Sequence, residues 1–252
     1  MSGVLQGKIV VVTGGAQGIG AGYVRKLVAS GATVVVADRN LAGAEQTASS
    51  VEGPGSAVPF AFDIATEDGC AALAEFVADR FGRLDGLINN AAIFSTIEMK
   101  PSWEITVEEW DQLMAVNLRG PWLLIKALLP PLKASGSASI INIGSDAAQF
   151  GRTGYLHYTT GKAGIQGMTW GLSHELGEFG IRVNTLSPGP VYTEVARGTV
   201  TQAQTDAMLR MQAVKRTAGP DDMAGLAVYL LSDDSSYISG QTISVNGGLL
   251  HR

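Results

Sequence analysis

Tyr158 and Lys162 stand four residues apart in Tyr158-Thr159-Thr160-Gly161-Lys162. On a helix this spacing puts a phenol and an ammonium on one face, one turn apart. A free tyrosine, with a pKa of about 10, is a poor base at neutral pH. A nearby fixed positive charge favours the phenolate and lowers that value. The pair suits proton transfer to or from a substrate oxygen. The same spacing also describes an ordinary surface pair, so the weight falls on the residues upstream.

Residues 13–20 read Thr-Gly-Gly-Ala-Gln-Gly-Ile-Gly. They follow a β-branched apolar run, residues 8–12, that reads as a buried parallel strand. A helix over about residues 19–30 comes next. Glycines in a strand-to-helix turn let the backbone approach a ligand closely, and the helix N-terminus offers free N–H groups to a phosphate. The spacing is neither GxGxxG nor that of a P-loop, which needs a Lys-Ser/Thr. In this context it points to dinucleotide binding. The second strand, residues 33–37, ends at Asp38, where a carboxylate would bind the adenosine ribose hydroxyls and repel a 2′-phosphate. NAD is therefore expected over NADP. Arg39 complicates this, because a guanidinium there could meet that phosphate. Asp38 could also be a simple helix cap.

Further strands are read at residues 58–62, ending at Asp63, at 84–88, ending in Asn89-Asn90-Ala91-Ala92, and at 139–143, delivering Gly144-Ser145. Two asparagines at a strand end can tie loops together or face a ligand. In open α/β sheets ligands bind at this carboxyl edge. A helix is expected over residues 67–81, with Leu73, Phe76, Val77 and Phe81 at helical spacing. Residues 93–106 form a longer connection of the kind that is often functional. The next helix, about residues 107–129, contains Pro121. Proline has no N–H to give the carbonyl four residues back, so the Asn117 carbonyl should be released to hold a water. The helix bearing Tyr158 and Lys162 is read over residues 158–179. Gly161, Gly164, Gly167 and Gly171 give it a smooth face for close packing on the sheet, another helix or another subunit. A sixth strand at 181–186 leads into Ser187-Pro188-Gly189-Pro190. Residues 197–214 are polar with Met208, Leu209 and Met211. They read as a mobile flap with an adaptable apolar lining or as a surface helix. A helix at 222–231 and a strand at 242–246 close the chain.

Alternating strands and helices predict an α/β fold, with one doubly wound parallel sheet of about seven strands in the order 3-2-1-4-5-6-7 and helices on both faces. The 252 residues are expected to form a single Rossmann-type domain, with the flap around 191–214. Hydrophobic content of 46% against 16% charged supplies a sizeable core and argues against disorder. A net charge of −5 with no basic block argues against a nucleic-acid partner. Cys70 is the sole cysteine, which excludes a disulfide framework and fits a reducing cytoplasm. Histidines 157, 174 and 251 are scattered, so no metal site is expected. No targeting segment is read at residues 1–7. The longest apolar run, residues 122–132, is interrupted by Lys126 and Pro130-Pro131, so no membrane span is expected.

Taken together, residues 13–20, Asn89-Asn90-Ala91-Ala92, Asn117, Ser145, Tyr158-Lys162 and Pro188-Gly189 with Thr193 resemble the motifs of the short-chain dehydrogenase/reductase family, over essentially the whole chain. Ala92 stands where glycine is common, and Gly161 where serine is common. The resemblance implies Tyr158 as the proton donor or acceptor, and Lys162 as the residue that lowers its pKa and binds the nicotinamide ribose. It implies Ser145 as the hydroxyl holding the substrate oxygen, and Asn117 as the relay whose carbonyl holds a water. Cofactor contacts are implied for Gly14, Gln17, Gly18, Ile19, Gly20, Asp38, Arg39, Asp63, Ile64, Asn90, Ala91, Pro188, Val191 and Thr193, besides Tyr158 and Lys162. A homotetramer or homodimer is implied, its interface on the Tyr158 helix. The expected reaction is hydride transfer between NAD(H) and a secondary alcohol or ketone. The expected pocket residues are Phe94, Gln149, Phe150, Tyr155, Pro190, Tyr192, Met208 and Met211. Being apolar and aromatic, they favour an uncharged cyclic or aryl-substituted substrate. Asp146 puts one acid nearby or is a solvated loop residue, and His157 is expected to pack away from Tyr158. The C-terminal residues 249–252 could reach a neighbouring subunit's pocket. The alternatives are an NADPH-dependent 3-oxoacyl thioester reductase and a non-catalytic dinucleotide sensor.

Overall fold

The computed structural model of the chain describes residues 3–196 and 201–251. Seven parallel strands lie in the order β3-β2-β1-β4-β5-β6-β7, as the pattern of alternating elements predicts. They are β1 (Ile9–Thr13), β2 (Thr33–Asp38), β3 (Ser56–Ala61), β4 (Gly86–Asn89), β5 (Ser139–Ile143), β6 (Arg182–Pro188) and β7 (Thr242–Val245). The strand order reverses between β1 and β4, which opens a crevice at their carboxyl ends.

The valine runs explain the layers. Side chains alternate across a strand. Val10, Val12, Val34 and Val36 therefore share one apolar cluster with α1 (Gly18–Ala29) and α9 (Pro220–Leu231). Val11 and Val35 face the other side, against α3 (Glu67–Phe81) and α5 (Gly120–Ser135). In-register pairing of Val10 with Val34 and Val11 with Val35 keeps both sets aligned. Caps close the helices: Thr66 accepts from Gly69 N–H, and Gly82 ends α3 in the left-handed region at φ +71°.

The structure departs from the sequence reading most in its helices. A helix, α2 (Leu41–Ser50), follows β2 where no periodicity signals one; only Ala44 and Thr47 of it are buried. The long helix expected over 107–129 is α4 (Val107–Met114), a π-helical turn (Ala115–Arg119) and α5. The chain absorbs Pro121 by widening, with Gly120 N–H reaching back to Ala115 O, rather than by breaking. It then runs through Pro130-Pro131 to Ser135, because Pro131 and Leu132 bury against the sheet. Finally, α7 (Leu156–Glu175) starts two residues before Tyr158 and gives way to a 3₁₀ turn at Gly177–Phe179.

The glycine face of α7 is used in part. Gly161 lies against Leu113, Met114 and Asn117, and Gly164 against the Leu118 side chain, whereas Gly167 and Gly171 face open space. His157 is buried, as expected of a packing residue. Part of the expected flap, residues 197–200, lies outside the described residues; α8 (Gln202–Met211) is a helix with a Thr201–Gln204 capping box. No helix among the described residues is long and apolar enough to cross a membrane.

Candidate active site

One cleft of about 760 Å³ runs along the carboxyl edge of the sheet, from the glycine turn and Asp38 to Ser145 and Tyr158. The turn is built from close backbone contacts. A Cβ on Gly14, at φ +64°, would lie 2.8 Å from Ala91 Cα, and one on Gly20 would lie 2.0 Å from Gly14 O. Neither position tolerates a side chain. Asn90 holds the turn: its Nδ2 donates to Thr13 O at 2.9 Å and to Gly14 O at 3.1 Å. Thr13 Oγ1 accepts the N–H groups of Asn90 and Ala91, each at 3.0 Å. Asn90 is thus a loop tie, and it also lines the cleft with Ala91. Asn89 is a second tie, donating to Asn142 Oδ1 at 2.9 Å.

Asp38 accepts from Ala16 N–H at 3.1 Å and Asn40 N–H at 2.9 Å. It is not the cap of α2; that role belongs to Asn40, whose side chain accepts from Gly43 N–H. Arg39, Asp63 and Ile64 line the same end of the cleft. The first turn of α1 carries no acidic residue, and its N-cap, Gln17, makes no side-chain bond. Gly18 N–H instead donates to Glu194 Oε1 at 2.7 Å. A carboxylate from the loop after β6 therefore takes the helix N-terminus, where a phosphate binds well. Nothing in the sequence singled out Glu194. Close-packed glycine backbone, a helix N-terminus and a strand-end carboxylate together fit an elongated dinucleotide.

At the other end, Lys162 is buried and its Nζ donates to Ile143 O at 2.7 Å, at the tip of β5. Burial pushes its pKa down from 10.5 to about 8. The ammonium lies 5.9 Å from the Tyr158 ring centroid. Phe94 packs 4.8 Å from the Tyr158 ring, and Tyr155 stands edge-on at 5.6 Å. Ile97 and Leu113 complete this apolar cluster. Ser145, on the loop leaving β5, accepts from Ala147 N–H at 3.2 Å. Asn117 does not line the cleft. It sits in the π turn, 1% exposed, and clamps the Ile93 main chain by both amide atoms at 2.7 and 3.0 Å.

Of the expected pocket residues, Phe94, Phe150, Tyr155, Pro190, Tyr192, Met208 and Met211 line the cleft, while Gln149 is exposed outside it. Gln149 lies on the four-residue α6 (Ala147–Phe150), which turns Phe150 into the cleft. Tyr192 Oη donates to Thr205 Oγ1 at 3.1 Å, fastening the loop after β6 to α8. Arg152 joins the lining and lies 5.5 Å over the Tyr155 ring. Leu249 lines this chain's own cleft, and Arg252 lies outside the described residues. Asp146 is buried rather than solvated.

A sequence model described as enoyl-(acyl carrier protein) reductase matches residues 14–250. The chain is 35% identical over 245 residues to D-threitol dehydrogenase of Mycolicibacterium smegmatis, covering 97% of this chain and 93% of the relative. It is 37% identical over 250 residues to 3-alpha-(or 20-beta)-hydroxysteroid dehydrogenase of Mycobacterium bovis, covering 98% and 91%. The crystal structure of 3-ketoacyl-(acyl-carrier-protein) reductase from Brucella melitensis complexed with NADH superposes with a TM-score of 0.88 at 31% identity, covering 97% of this chain and 99% of that one. Likeness of sequence and of fold, both end to end, makes this chain a member of the short-chain dehydrogenase/reductase family of oxidoreductases.

Proposed function

We propose that the protein transfers a hydride between NAD(H) and an uncharged secondary alcohol or ketone, cyclic or aryl-substituted. One observation carries this reading: Tyr158, Ser145 and Lys162 line one end of a cleft whose other end is the glycine turn and Asp38. When bound, the nicotinamide supplies or accepts the hydride. In the oxidative direction Tyr158 Oη takes the hydroxyl proton and Ser145 Oγ holds the substrate oxygen. Lys162 biases the phenol towards its anion and holds the nicotinamide ribose. Asn117 fixes the Ile93 backbone beside the cleft, and its carbonyl, to which Pro121 offers no N–H, would seat a relay water. The aromatic and methionine walls exclude water and favour apolar rings. The hydroxysteroid relative is named for a ring-bearing alcohol, which supports the substrate class. The exposed Trp122 and Trp170, with the open glycines of α7, suit a homo-oligomer built on α5 and α7.

A second reading, a 3-oxoacyl thioester reductase, is favoured by the likeness to the Brucella enzyme. The net charge of −5 offers an acidic carrier little attraction. The experiment is absorbance at the reduced-nicotinamide band, with NAD or NADP and a panel of cyclic, aryl and 3-hydroxyacyl thioester alcohols. Turnover with NAD on cyclic or aryl alcohols is expected. Turnover confined to the thioesters with NADP would replace this reading by the second.

Asp38 and Glu194 give two further expected results, both read by direct titration of reduced dinucleotides. Asp38→Asn keeps the side-chain volume and removes the charge that repels a 2′-phosphate. The preference for NADH over NADPH should fall about tenfold or more; an unchanged ratio would show that Asp38 is not the discriminator. Glu194→Gln removes the carboxylate that competes with a pyrophosphate for Gly18 N–H. Dinucleotide binding should tighten several-fold, by about 1 kcal/mol. Equal or weaker binding would mean that Glu194 does not contest the phosphate seat.

A further inference from the structure

Asp146 follows Ser145 directly and is 3% exposed. Its Oδ1 accepts from Ser187 Oγ at 2.7 Å and Ser244 Oγ at 2.8 Å, and its Oδ2 accepts from Asn246 Nδ2. Its N–H donates to Pro188 O at 3.0 Å. These partners belong to β6, to β7 and to the turn after β7, far along the chain. A buried carboxylate is costly unless it is well hydrogen-bonded, and a merely apolar packing position would not need one.

The network continues beyond the carboxylate. Asn246 Nδ2 also donates to Leu250 O at 3.1 Å, and Asn246 O accepts from Gln212 Nε2 at 3.2 Å. Val214 N–H donates to Gly247 O at 2.9 Å. Gln212 is the C-cap of α8, and Met208, Met211 and Leu249 line the cleft. One side chain therefore joins the loop of Ser145 to the α8 and C-terminal walls of the substrate end.

We propose that Asp146 is a positioning residue that registers Ser145 with the α8 and C-terminal walls, so that the substrate's oxygen and its far end are located together. This rests on Ser145 holding the substrate oxygen. Asp146→Asn preserves the volume and the acceptor for the two serines but sets its amide N–H groups against those of Asn246. The double variant D146N/N246D restores a donor facing an acceptor. The test measures kcat, KM, direct NADH binding and thermal unfolding for both, with Ser145→Ala as reference, using the best alcohol of the panel.

For Asp146→Asn, kcat should fall about tenfold or more, as small misplacements of a reacting group do. NADH affinity should stay within about twofold, since the glycine turn and Asp38 at the adenosine end take no part in this network. The double variant should recover most of the lost kcat. A drop in unfolding temperature with unchanged kcat would overturn the proposal, as would a double variant no better than the single one. If Asp146→Asn fails to fold, Ser244→Ala removes one donor only; a fall in kcat of about threefold supports the proposal and an unchanged kcat overturns it. A fully active Ser145→Ala enzyme would instead overturn the reading of Ser145, on which the proposal stands.

Discussion

Replacing Tyr158 by phenylalanine is expected to abolish turnover while leaving dinucleotide binding intact. The substitution removes one oxygen and keeps the ring, so the contacts with Phe94 and Tyr155 survive. What is lost is the only phenol in the cluster that stands one helical turn from the buried Lys162. Proton transfer by a positioned group is worth about 10²–10⁴ in rate. Holding the phenol near its anion adds to this, so the loss should sit at or beyond the upper end. Stopped-flow measurement of nicotinamide reduction, with NADH titration and a melting curve on the same sample, separates chemistry from binding and folding. A variant with more than about a tenth of wild-type kcat would remove Tyr158 from the proton-transfer role.

Lys162→Met carries the second large effect, in turnover and in the pH dependence of stability. Burial lowers the folded-state pKa from 10.5 to about 8. Below pH 8 the ammonium is charged in both states, and the folded protein bears the full cost of burying it. Between about pH 8 and 10.5 the unfolded chain holds more protons than the folded one, so this group makes the dinucleotide-free protein more stable as pH rises. The gain over that window is on the order of 3 kcal/mol. Lys162→Met should lack this rise, and denaturant unfolding from pH 7.5 to 10.5 reads the difference between the two proteins. Parallel curves would contradict the burial account. Turnover of Lys162→Met should fall about 10²-fold or more, because the charge that favours the Tyr158 anion is gone. Near-normal turnover would assign Lys162 to packing alone.

The parts legible in the sequence were those carried by local pattern. The valine runs of β1 and β2 announced a buried parallel sheet, and the glycine turn between β1 and α1 announced the cleft at its edge. Helical spacing paired Tyr158 with Lys162 and a strand end placed Ser145 at the sheet's carboxyl edge, where the structure has them line one cleft, but the roles expected of them came from the family resemblance. Pro121 foretold an irregularity near Asn117, but not its form. A missing N–H can be absorbed by a π turn as well as by a break, and here the chain widens at Ala115–Arg119. The helix α2 was invisible because Ala44 and Thr47 are its only buried residues, too few for an apolar stripe. Gln149 was misplaced because α6 is only four residues long, too short for its facing to be read from sequence. Asp146 and Glu194 escaped for a different reason. Their meaning lies in partners brought from other parts of the chain, Ser187, Ser244 and Asn246 for the first and Gly18 for the second.

Hydride is expected to pass directly between a carbinol carbon and the nicotinamide, with Tyr158 moving the hydroxyl proton in the same step. The most direct measurement uses the best alcohol of the panel, deuterated at the carbinol carbon, with unlabelled NAD and wild-type protein. Mass spectrometry of the reduced dinucleotide then counts the deuterium. One deuterium per reduced nicotinamide, with none lost to solvent, is the predicted result. Turnover that yields unlabelled reduced dinucleotide would contradict direct transfer.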